Sequence, residues 1–213
     1  MTELILVRHG ETAWNRERRM QGHTDTPLSE IGRAQAAALG VRMKDAHIDV
    51  IYSSDLSRAF DTAAAVAAHT GHEIRKEPLL RERTFGILEG LTNAEMAVRH
   101  PEAHALFMSR DPEYAAPGGE SARAFYERSL GCLTGIARRH ADETVMVVTH
   151  GLVLDTLYRA ATGLPIAIKR EAPLLNASLN RFRYAAESWE MISWADVEHL
   201  AQVGVTRFDS RAV

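Results

Sequence analysis

The amino-acid sequence predicts an α/β fold with three layers, αβα, a mostly parallel sheet, helices on both faces and a small helical cap insertion. Short apolar runs alternate with longer helical segments, a pattern typical of right-handed βαβ crossovers. The length of 213 residues, with 46% hydrophobic and 25% charged residues, is that of an ordinary globular domain. We therefore predict a single domain over residues 1–213, with the cap insertion at about 84–119.

Six short segments are predicted strands, because they are apolar or alternating and too short to form a stable helix. The last two alternate in character, which favours a hairpin around residues 185–188. The predicted strands are Leu4–Val7, Asp49–Tyr52, Glu73–Lys76, Thr144–Thr149, Ser178–Tyr184 and Glu190–Trp194.

Four longer segments are predicted helices, over residues 29–44, 54–68, 120–140 and 152–161. In the second helix, Ser54 and Asp55 are predicted to cap the N-terminus, and Gly71 is predicted to end the helix. The first helix has an apolar stripe. Its members are Ala34, Ala37, Ala38 and Val41.

The stretch from Leu79 to Gly119 is different, because loops rich in glycine and proline alternate with short helical stretches. It contains the predicted cap. The sequence leaves open which apolar residues form the core of the cap and which contact a substrate. These residues are Leu91, Met96, Val98, Leu106, Phe107, Met108 and Tyr114.

The composition excludes several classes of protein. A net charge of −3 and a pI near 6.4 argue against a dedicated nucleic-acid-binding protein. The single cysteine, Cys132, cannot form an intrachain disulfide and is predicted to be a small core residue. No signal peptide is recognisable, and no apolar stretch approaches the roughly 20 residues of a transmembrane helix. We expect a cytoplasmic protein that binds neither nucleic acid nor membranes.

Two predicted strands end in the same way. The first continues into Arg-His-Gly at residues 8–10, and the fourth continues into Thr-His-Gly at residues 149–151. Ligands of open α/β sheets bind beyond the carboxyl ends of the strands, so we expect both imidazoles at one edge of the sheet. The second strand leads into a helix whose first turn carries Arg58, where free N–H groups favour phosphate.

The residues expected at this edge are those of a phosphate site, because guanidinium forks match phosphate oxygens. Glu82 follows the third strand and is the candidate proton donor for a leaving group. Each residue alone has a structural explanation, but their joint occurrence at three strand ends favours phosphate. Zinc is less favoured despite ten histidines, because the sequence lacks His-Glu-x-x-His and a cysteine pair. The candidate phosphate-binding residues are Arg8, His9, Asn15, Arg58 and His150.

Five blocks of the sequence resemble the histidine phosphatase superfamily, also called phosphoglycerate mutase-like, and they occur in the family order. A single Arg-His-Gly motif is weakly specific. Five ordered blocks are highly specific for the superfamily, although only weakly specific for the substrate. The blocks are LVRHGET at 6–12 with Trp14-Asn15, LSEIGRAQA at 28–36, SSDLSRAFDTA at 53–63, LRE at 80–82 with Phe85-Gly86 and Glu89-Gly90, and VTHG at 148–151.

The resemblance implies roles for individual residues. His9 resembles the nucleophile that forms a phosphohistidine, with its far ring nitrogen donating to a backbone carbonyl. Glu82 resembles the general acid that later acts as the base. His150 is expected to be cationic beside the phosphate. The implied catalytic residues are His9, Glu82, His150, Arg8 and Arg58, with Asn15 as an added phosphate ligand and with no metal or cofactor.

The same resemblance favours a phosphatase acting on small phosphate monoesters. Family mutases that use 2,3-bisphosphoglycerate carry an adjacent arginine pair in a longer insertion, whereas Arg99 and Arg110, the only arginines between residues 90 and 119, are not adjacent. Phe85 and Asn93 stand where those mutases have Tyr and Lys. Phosphoglycerate mutase is the first alternative, and a non-catalytic phosphate-binding protein is the second. The expected partner is a small phosphate ester, and a homodimer stays an open alternative.

Overall fold

Four neighbouring parallel strands form one side of the main sheet in the computed structural model, which describes residues 1–204 and 207–208. They are β1 (Thr2–Arg8), β2 (Val50–Ser53), β3 (Ile74–Lys76) and β4 (Thr144–Thr149). A short strand, β5 (Leu174–Leu175), pairs with β8 (Arg207–Phe208) in a separate sheet. Two antiparallel strands, β6 (Leu179–Ala185) and β7 (Ser188–Asp196), complete the main sheet in the order β3-β2-β4-β1-β6-β7. The predicted mostly parallel sheet is confirmed.

Helices cover both faces of this sheet, as predicted. Alternate residues of β1 point to opposite faces, so that Leu4 and Leu6 join one hydrophobic cluster while Ile5 and Val7 join another. The α-helices are α1 (Ala13–Glu17), α2 (Glu30–Met43), α3 (Ser57–Thr70), α4 (Asn93–Arg99), α5 (Pro101–Met108), α6 (Ala122–Arg139) and α7 (Gly151–Thr162). The first cluster includes residues of α6 and α7, and the second includes residues of α2 and α3.

The predicted apolar stripe of α2 is wrong. Ala34, Ala37 and Val41 are exposed and Ala38 is half-buried, whereas the buried face carries Gly32, Gln35, Ala36, Leu39, Gly40 and Met43. The reason is a close backbone approach. A Cβ atom on Gly40 would lie 2.4 Å from the Ala65 carbonyl oxygen, so α2 and α3 touch where there is no side chain. Hydrophobicity alone gives no signal for such a contact.

The start of α3 also differs from the prediction. Ser54 and Asp55 do not cap it, because the helix begins at Ser57 and its N-cap residue, Leu56, provides no side-chain acceptor. The Asp25 carboxylate, from a distant loop, accepts hydrogen bonds from the Ser57 backbone N–H and hydroxyl instead, at 2.9 and 2.8 Å. The Ser54 side chain is thereby left for the site at the sheet edge.

The segment at 84–119 contains α4 and α5 and a third hydrophobic cluster. Leu91 and Met96 are buried in that cluster, and Phe107 and Tyr114 pack against it. Val98 is 82% exposed, and Leu106 and Met108 are also exposed. Phe107 and Tyr114 also line a pocket, which is described below.

Other sequence-based expectations concern single features. The hairpin turn lies at Ala186 and Glu187, which both have positive φ, as a two-residue turn between twisted strands requires. Cys132 is buried, and burial raises the pKa of its thiol to about 12, in agreement with a core residue. In the part of the chain described here, no helix is both long and apolar enough to cross a membrane.

Candidate active site

The two histidines that follow β1 and β4 lie side by side because these strands are neighbours in the sheet. The His9 backbone N–H donates to the Thr149 carbonyl at 2.9 Å, which continues the parallel ladder to its last residue. The rings of His9 and His150 are 5.3 Å apart between centroids, and both residues are almost completely buried. Both imidazoles therefore lie at the carboxyl edge of the sheet, where the sequence analysis places them.

His9 is held as a neutral imidazole with a defined proton position. Its Nδ1 lies 2.7 Å from the Gly10 carbonyl oxygen, which can only accept, so Nδ1 carries the proton and Nε2 has a free lone pair. Burial lowers the pKa of His9 well below its ordinary value, and the nearby cations Arg58 and Arg8 lower it further. A neutral ring with an unprotonated Nε2 is the nucleophilic form of histidine.

His150 was expected to be cationic beside a phosphate, and this stays a prediction. In the protein alone, burial is the largest cause of a pKa of His150 well below the ordinary value, and Arg58 and His9 add to it. These effects favour the neutral ring, whereas a phosphate dianion at the site would favour the cation. Its Nε2 lies 2.8 Å from the Ser54 hydroxyl, the polar group that was predicted to cap α3.

Arg8 and Arg58 bring two guanidinium groups to the same pocket. Arg8 donates to the Leu174 carbonyl at 2.8 Å. Arg58 donates to the Gly22 and Thr24 carbonyls at 2.8 and 3.0 Å. Burial lowers the pKa of each arginine to about 10, so both stay charged at neutral pH. Fixed, desolvated cations of this kind attract an anion strongly.

Asn15 lies in the short helix α1, which the sequence analysis did not predict. The capping box between Thr12 and Asn15 fixes the amide, because Asn15 Oδ1 accepts the Thr12 backbone N–H at 3.0 Å. Three fully buried polar atoms of this site have no hydrogen-bond partner among the described residues: Asn15 Nδ2, Arg58 Nε and His150 Nδ1. Buried nitrogens without partners are uncommon, and their grouping fits an anionic ligand that accepts from them.

Glu82 faces the same pocket as Arg8, His9, Asn15 and Arg58. Its two carboxyl oxygens accept the backbone N–H groups of Arg83 at 2.9 Å and Leu152 at 3.2 Å. Burial raises the pKa of Glu82, and this effect outweighs the opposing hydrogen bonds and arginine charges. A carboxyl group with a raised pKa is suited to donate a proton near neutral pH.

A loop at residues 20–24 closes one side of the pocket, and Glu89 holds it there. The Glu89 carboxylate accepts the backbone N–H groups of His23 and Thr24 and the Thr24 hydroxyl, at 3.1, 3.0 and 2.7 Å. Gly22 in this loop has a φ of +53°, and a Cβ there would lie 2.0 Å from Glu89. Glu89 belongs to a recognised sequence block, but its neighbours gave no signal for this role.

The chain beyond residue 163 contributes groups that were not among the predicted site residues, although Asn176-Ala177-Ser178 also resembles the family. Asn176 Nδ2 donates to the His9 carbonyl at 2.9 Å, and Leu174 accepts the bond from Arg8. Arg170 is only 5% exposed and acts electrostatically on Arg8. These residues lie between α7 and β6, where the only described strand is the two-residue β5, so neither periodicity nor a predicted strand end marks them.

The described residues contain no group of three or more His, Cys, Asp or Glu side chains arranged to hold a metal ion. The charged groups that line the pocket are three arginines, Arg8, Arg19 and Arg58, and one glutamate, with two imidazoles beside them. This donor set fits a phosphoryl group, whose oxygens accept hydrogen bonds and whose charge pairs with guanidinium.

Comparison with known proteins places the chain in a family. Residues 4–197 match the histidine phosphatase superfamily, branch 1, and the chain belongs to that family. It is 42% identical over 207 residues to the metal-independent phosphoserine phosphatase of Arabidopsis thaliana, covering 96% of this chain and 85% of that protein. It is 35% identical over 205 residues to the probable phosphoglycerate mutase GpmB of Cronobacter sakazakii, covering 94% of this chain and 95% of that protein.

The fold is also similar to solved structures. Bacillus stearothermophilus YhfR superposes with a TM-score of 0.86 at 37% sequence identity, covering 94% of this chain and 100% of that one. The family resemblance found in the sequence is therefore confirmed. The similar proteins carry names of both phosphatases and mutases, so similarity alone does not separate these two activities.

Proposed function

We propose that this protein is a phosphatase that hydrolyses small phosphate monoesters through a phosphohistidine intermediate. The observation that carries the proposal is the convergence, in one buried pocket, of a neutral His9, two fixed guanidinium groups and a carboxyl group with a raised pKa. Nucleophile, charge stabilisation and proton donor are the three requirements of metal-independent phosphoryl transfer.

In the first step, His9 Nε2 attacks phosphorus in line and the bond between phosphorus and the ester oxygen breaks. Glu82 gives its proton to that oxygen, so that the alcohol leaves neutral. Arg8 and Arg58 stabilise the charge on the equatorial oxygens, together with donors from Asn15 and His150. In the second step, the Glu82 carboxylate takes a proton from water, and the water oxygen forms a new bond to phosphorus. The bond between phosphorus and His9 Nε2 breaks, which releases inorganic phosphate and restores neutral His9 and protonated Glu82.

The wall of the pocket supports hydrolysis over mutase activity. Phe85 lines the pocket and offers no hydroxyl group, and its ring packs edge-on against Phe107 with centroids 6.0 Å apart. Asn93 Oδ1 lies 2.9 Å from His104 Nε2 at an exposed position, so this side chain is engaged at the surface. The resemblance to the Arabidopsis phosphoserine phosphatase adds support.

The test begins with p-nitrophenyl phosphate, with and without EDTA. We expect turnover that EDTA leaves unchanged, and we expect His9→Ala to abolish both turnover and formation of a phosphoenzyme. His72→Ala is the matched control and should keep full rate, because His72 bonds to the Ile48 carbonyl where β2 and β3 begin, at the opposite end of these strands from the site. Near-full activity of His9→Ala would exclude the covalent route, and an inactive wild type would favour a binding protein.

Phosphoglycerate mutase is the second candidate, favoured by the 35% identity with probable phosphoglycerate mutase GpmB. The two activities separate when 3-phosphoglycerate is supplied with and without 2,3-bisphosphoglycerate. We expect release of inorganic phosphate that does not depend on the bisphosphate. Formation of 2-phosphoglycerate faster than phosphate release, and only with the bisphosphate, would replace the phosphatase proposal.

A further inference from the structure

A second pocket, which we call the adjacent pocket, opens beside the phosphate site. The two pockets share Leu152 and Leu174 in their walls. An ester bound with its phosphorus at His9 must extend its alcohol portion away from the phosphate. The adjacent pocket is the space next to the phosphate site that can take up this alcohol portion. The residues that characterise the adjacent pocket are Arg83, Phe107, Tyr114, Tyr126, Lys169 and Arg170.

The charge of the adjacent pocket is unbalanced. Five cationic and two acidic side chains line it. At its base, the Asp155 carboxylate accepts from Arg159 Nε at 2.8 Å and from Arg170 Nη1 at 2.7 Å. One buried carboxylate therefore serves two buried guanidinium groups, which leaves an excess positive charge. Keeping such a charge out of water costs free energy unless an anion approaches it.

The two arginines that bind Asp155 differ in which of their N–H groups are still available to a ligand. Arg159 also donates Nη1 to the Pro165 and Ile168 carbonyls. Arg170 donates Nε to the Ala172 carbonyl at 2.7 Å. Its Nη2 makes no hydrogen bond to any described residue, although the side chain is only 5% exposed and lines the adjacent pocket. Arg170 thus presents a fixed, desolvated donor to the space beside the phosphate.

We infer that the adjacent pocket binds a carboxylate on the alcohol portion of the substrate, and that Arg170 is the residue that recognises it. The inference rests on the proposed phosphatase function and narrows its substrates to phosphate esters of hydroxy acids. Leu174 connects the two guanidinium groups, because Arg8 donates to its carbonyl and Arg170 lines the adjacent pocket together with this leucine. The charge of Arg170 also lowers the pKa of Arg8, in agreement with two cations that hold two anionic groups of one small molecule. Apolar walls from Phe107 and Tyr114 exclude water and strengthen the pairing.

The test is a binding experiment in the His9→Ala background, so that no ligand is turned over. Calorimetry gives the Kd for 3-phosphoglycerate and for the glycerol phosphate of matching configuration, which differ in a carboxylate against a hydroxymethyl group. We expect the carboxylate ligand to bind about 10- to 100-fold more tightly, the range for a hydrogen bond between charged groups. Equal affinity for the two ligands overturns the inference without requiring any further variant.

Variants then assign the preference to Arg170. Arg170→Met should remove most of the preference, and Arg170→Lys should keep part of it. Asp155 keeps its pair with Arg159 in both variants. Lys169→Met is the matched control, because Lys169 is an exposed cation lining the same pocket, and it should leave the preference nearly unchanged. An equal loss in Lys169→Met, or an unchanged preference in Arg170→Met, contradicts the assignment.

Inorganic phosphate separates this role from a general effect on the phosphate site. Its Kd should change less than threefold in Arg170→Met. A loss of phosphate affinity as large as the loss for 3-phosphoglycerate would mean that Arg170 acts on the phosphate, and it would overturn the inference. Failure of the phosphatase proposal appears elsewhere, as absent turnover of p-nitrophenyl phosphate by the wild type, while the binding preference is still measured.

Discussion

Replacing Glu82 by glutamine tests the proton donor most directly. A positioned general acid contributes about 10²- to 10⁴-fold in rate, and the contribution is largest when the leaving oxygen is strongly basic. For an alkyl phosphate we expect kcat/KM to fall by about 10³-fold in Glu82→Gln. For p-nitrophenyl phosphate, whose leaving group departs readily as an anion, we expect a loss of about tenfold or less.

The hydrogen bonds of Glu82 also predict how much folding stability the glutamine variant loses. Both carboxyl oxygens accept backbone N–H groups, at 2.9 Å from Arg83 and 3.2 Å from Leu152. A glutamine can accept only one of them, because its NH₂ group must face the other N–H. This mismatch costs about 1–3 kcal/mol of folding free energy. The loss should appear in urea unfolding and be independent of the substrate used.

The assay is therefore a series of aryl and alkyl phosphates measured with wild type and Glu82→Gln. We expect the logarithm of kcat/KM to depend steeply on leaving-group pKa in the variant and weakly in the wild type. The acid must be protonated, so wild-type kcat/KM should fall as pH rises through the raised pKa of Glu82, and the variant should lose this dependence. An equal loss for p-nitrophenyl and alkyl phosphates would refute the acid role.

Three further predictions concern support of the site and the packing. Gly40→Ala places a Cβ 2.4 Å from a backbone carbonyl oxygen of α3 and should lower the free energy of unfolding, measured in urea, by about 1–3 kcal/mol. Gly131→Ala is the control, because nothing lies within 4 Å of its Cβ, and it should raise the free energy of unfolding by about 0.5–1 kcal/mol. Equal effects of the two substitutions would contradict the packing argument. Ser54→Ala removes the 2.8 Å hydrogen bond to His150 and should lower kcat about tenfold. Ser54→Thr keeps a hydroxyl group and should restore kcat. An unchanged kcat in Ser54→Ala would show that this hydrogen bond does not contribute to turnover. Burial raises the pKa of Glu89, but its hydrogen bonds outweigh this effect and leave the pKa below the ordinary value of 4.5. The wild type should therefore lose folding stability as the pH falls below about 4.5, and Glu89→Gln should lose less. Parallel profiles of stability against pH for the two proteins would contradict this prediction.

The sequence predicted those parts of the site that follow from strand ends. Arg8, His9 and His150 are adjacent in the chain to strong apolar strands, so the sheet itself determines their location. The predicted strands and the four long helices agree with the structure to within a few residues at their ends. Local patterns suffice there because the pattern and the tertiary environment favour the same conformation.

Other features could not be predicted because they depend on contacts between distant segments. Arg170 is recognisable as a site residue only once Asp155 and Arg8 are seen to surround it. The buried face of α2 depends on a glycine contact with α3, which overrides the apolar pattern. The motif around His150 also could not show that the protein alone favours the neutral ring, because this depends on how deeply the ring is buried.

The contact between Asn176 and the His9 carbonyl links two residues that are 167 positions apart in the chain. During translation, the Asn176 side chain that holds the His9 backbone is therefore added only after more than 160 further codons have been read. A nascent chain that stalls before residue 176 contains the His9 imidazole but lacks the Asn176 amide that holds the His9 backbone. Catalytic competence is therefore acquired only late in synthesis, and a nonsense codon upstream of residue 176 should yield an inert fragment.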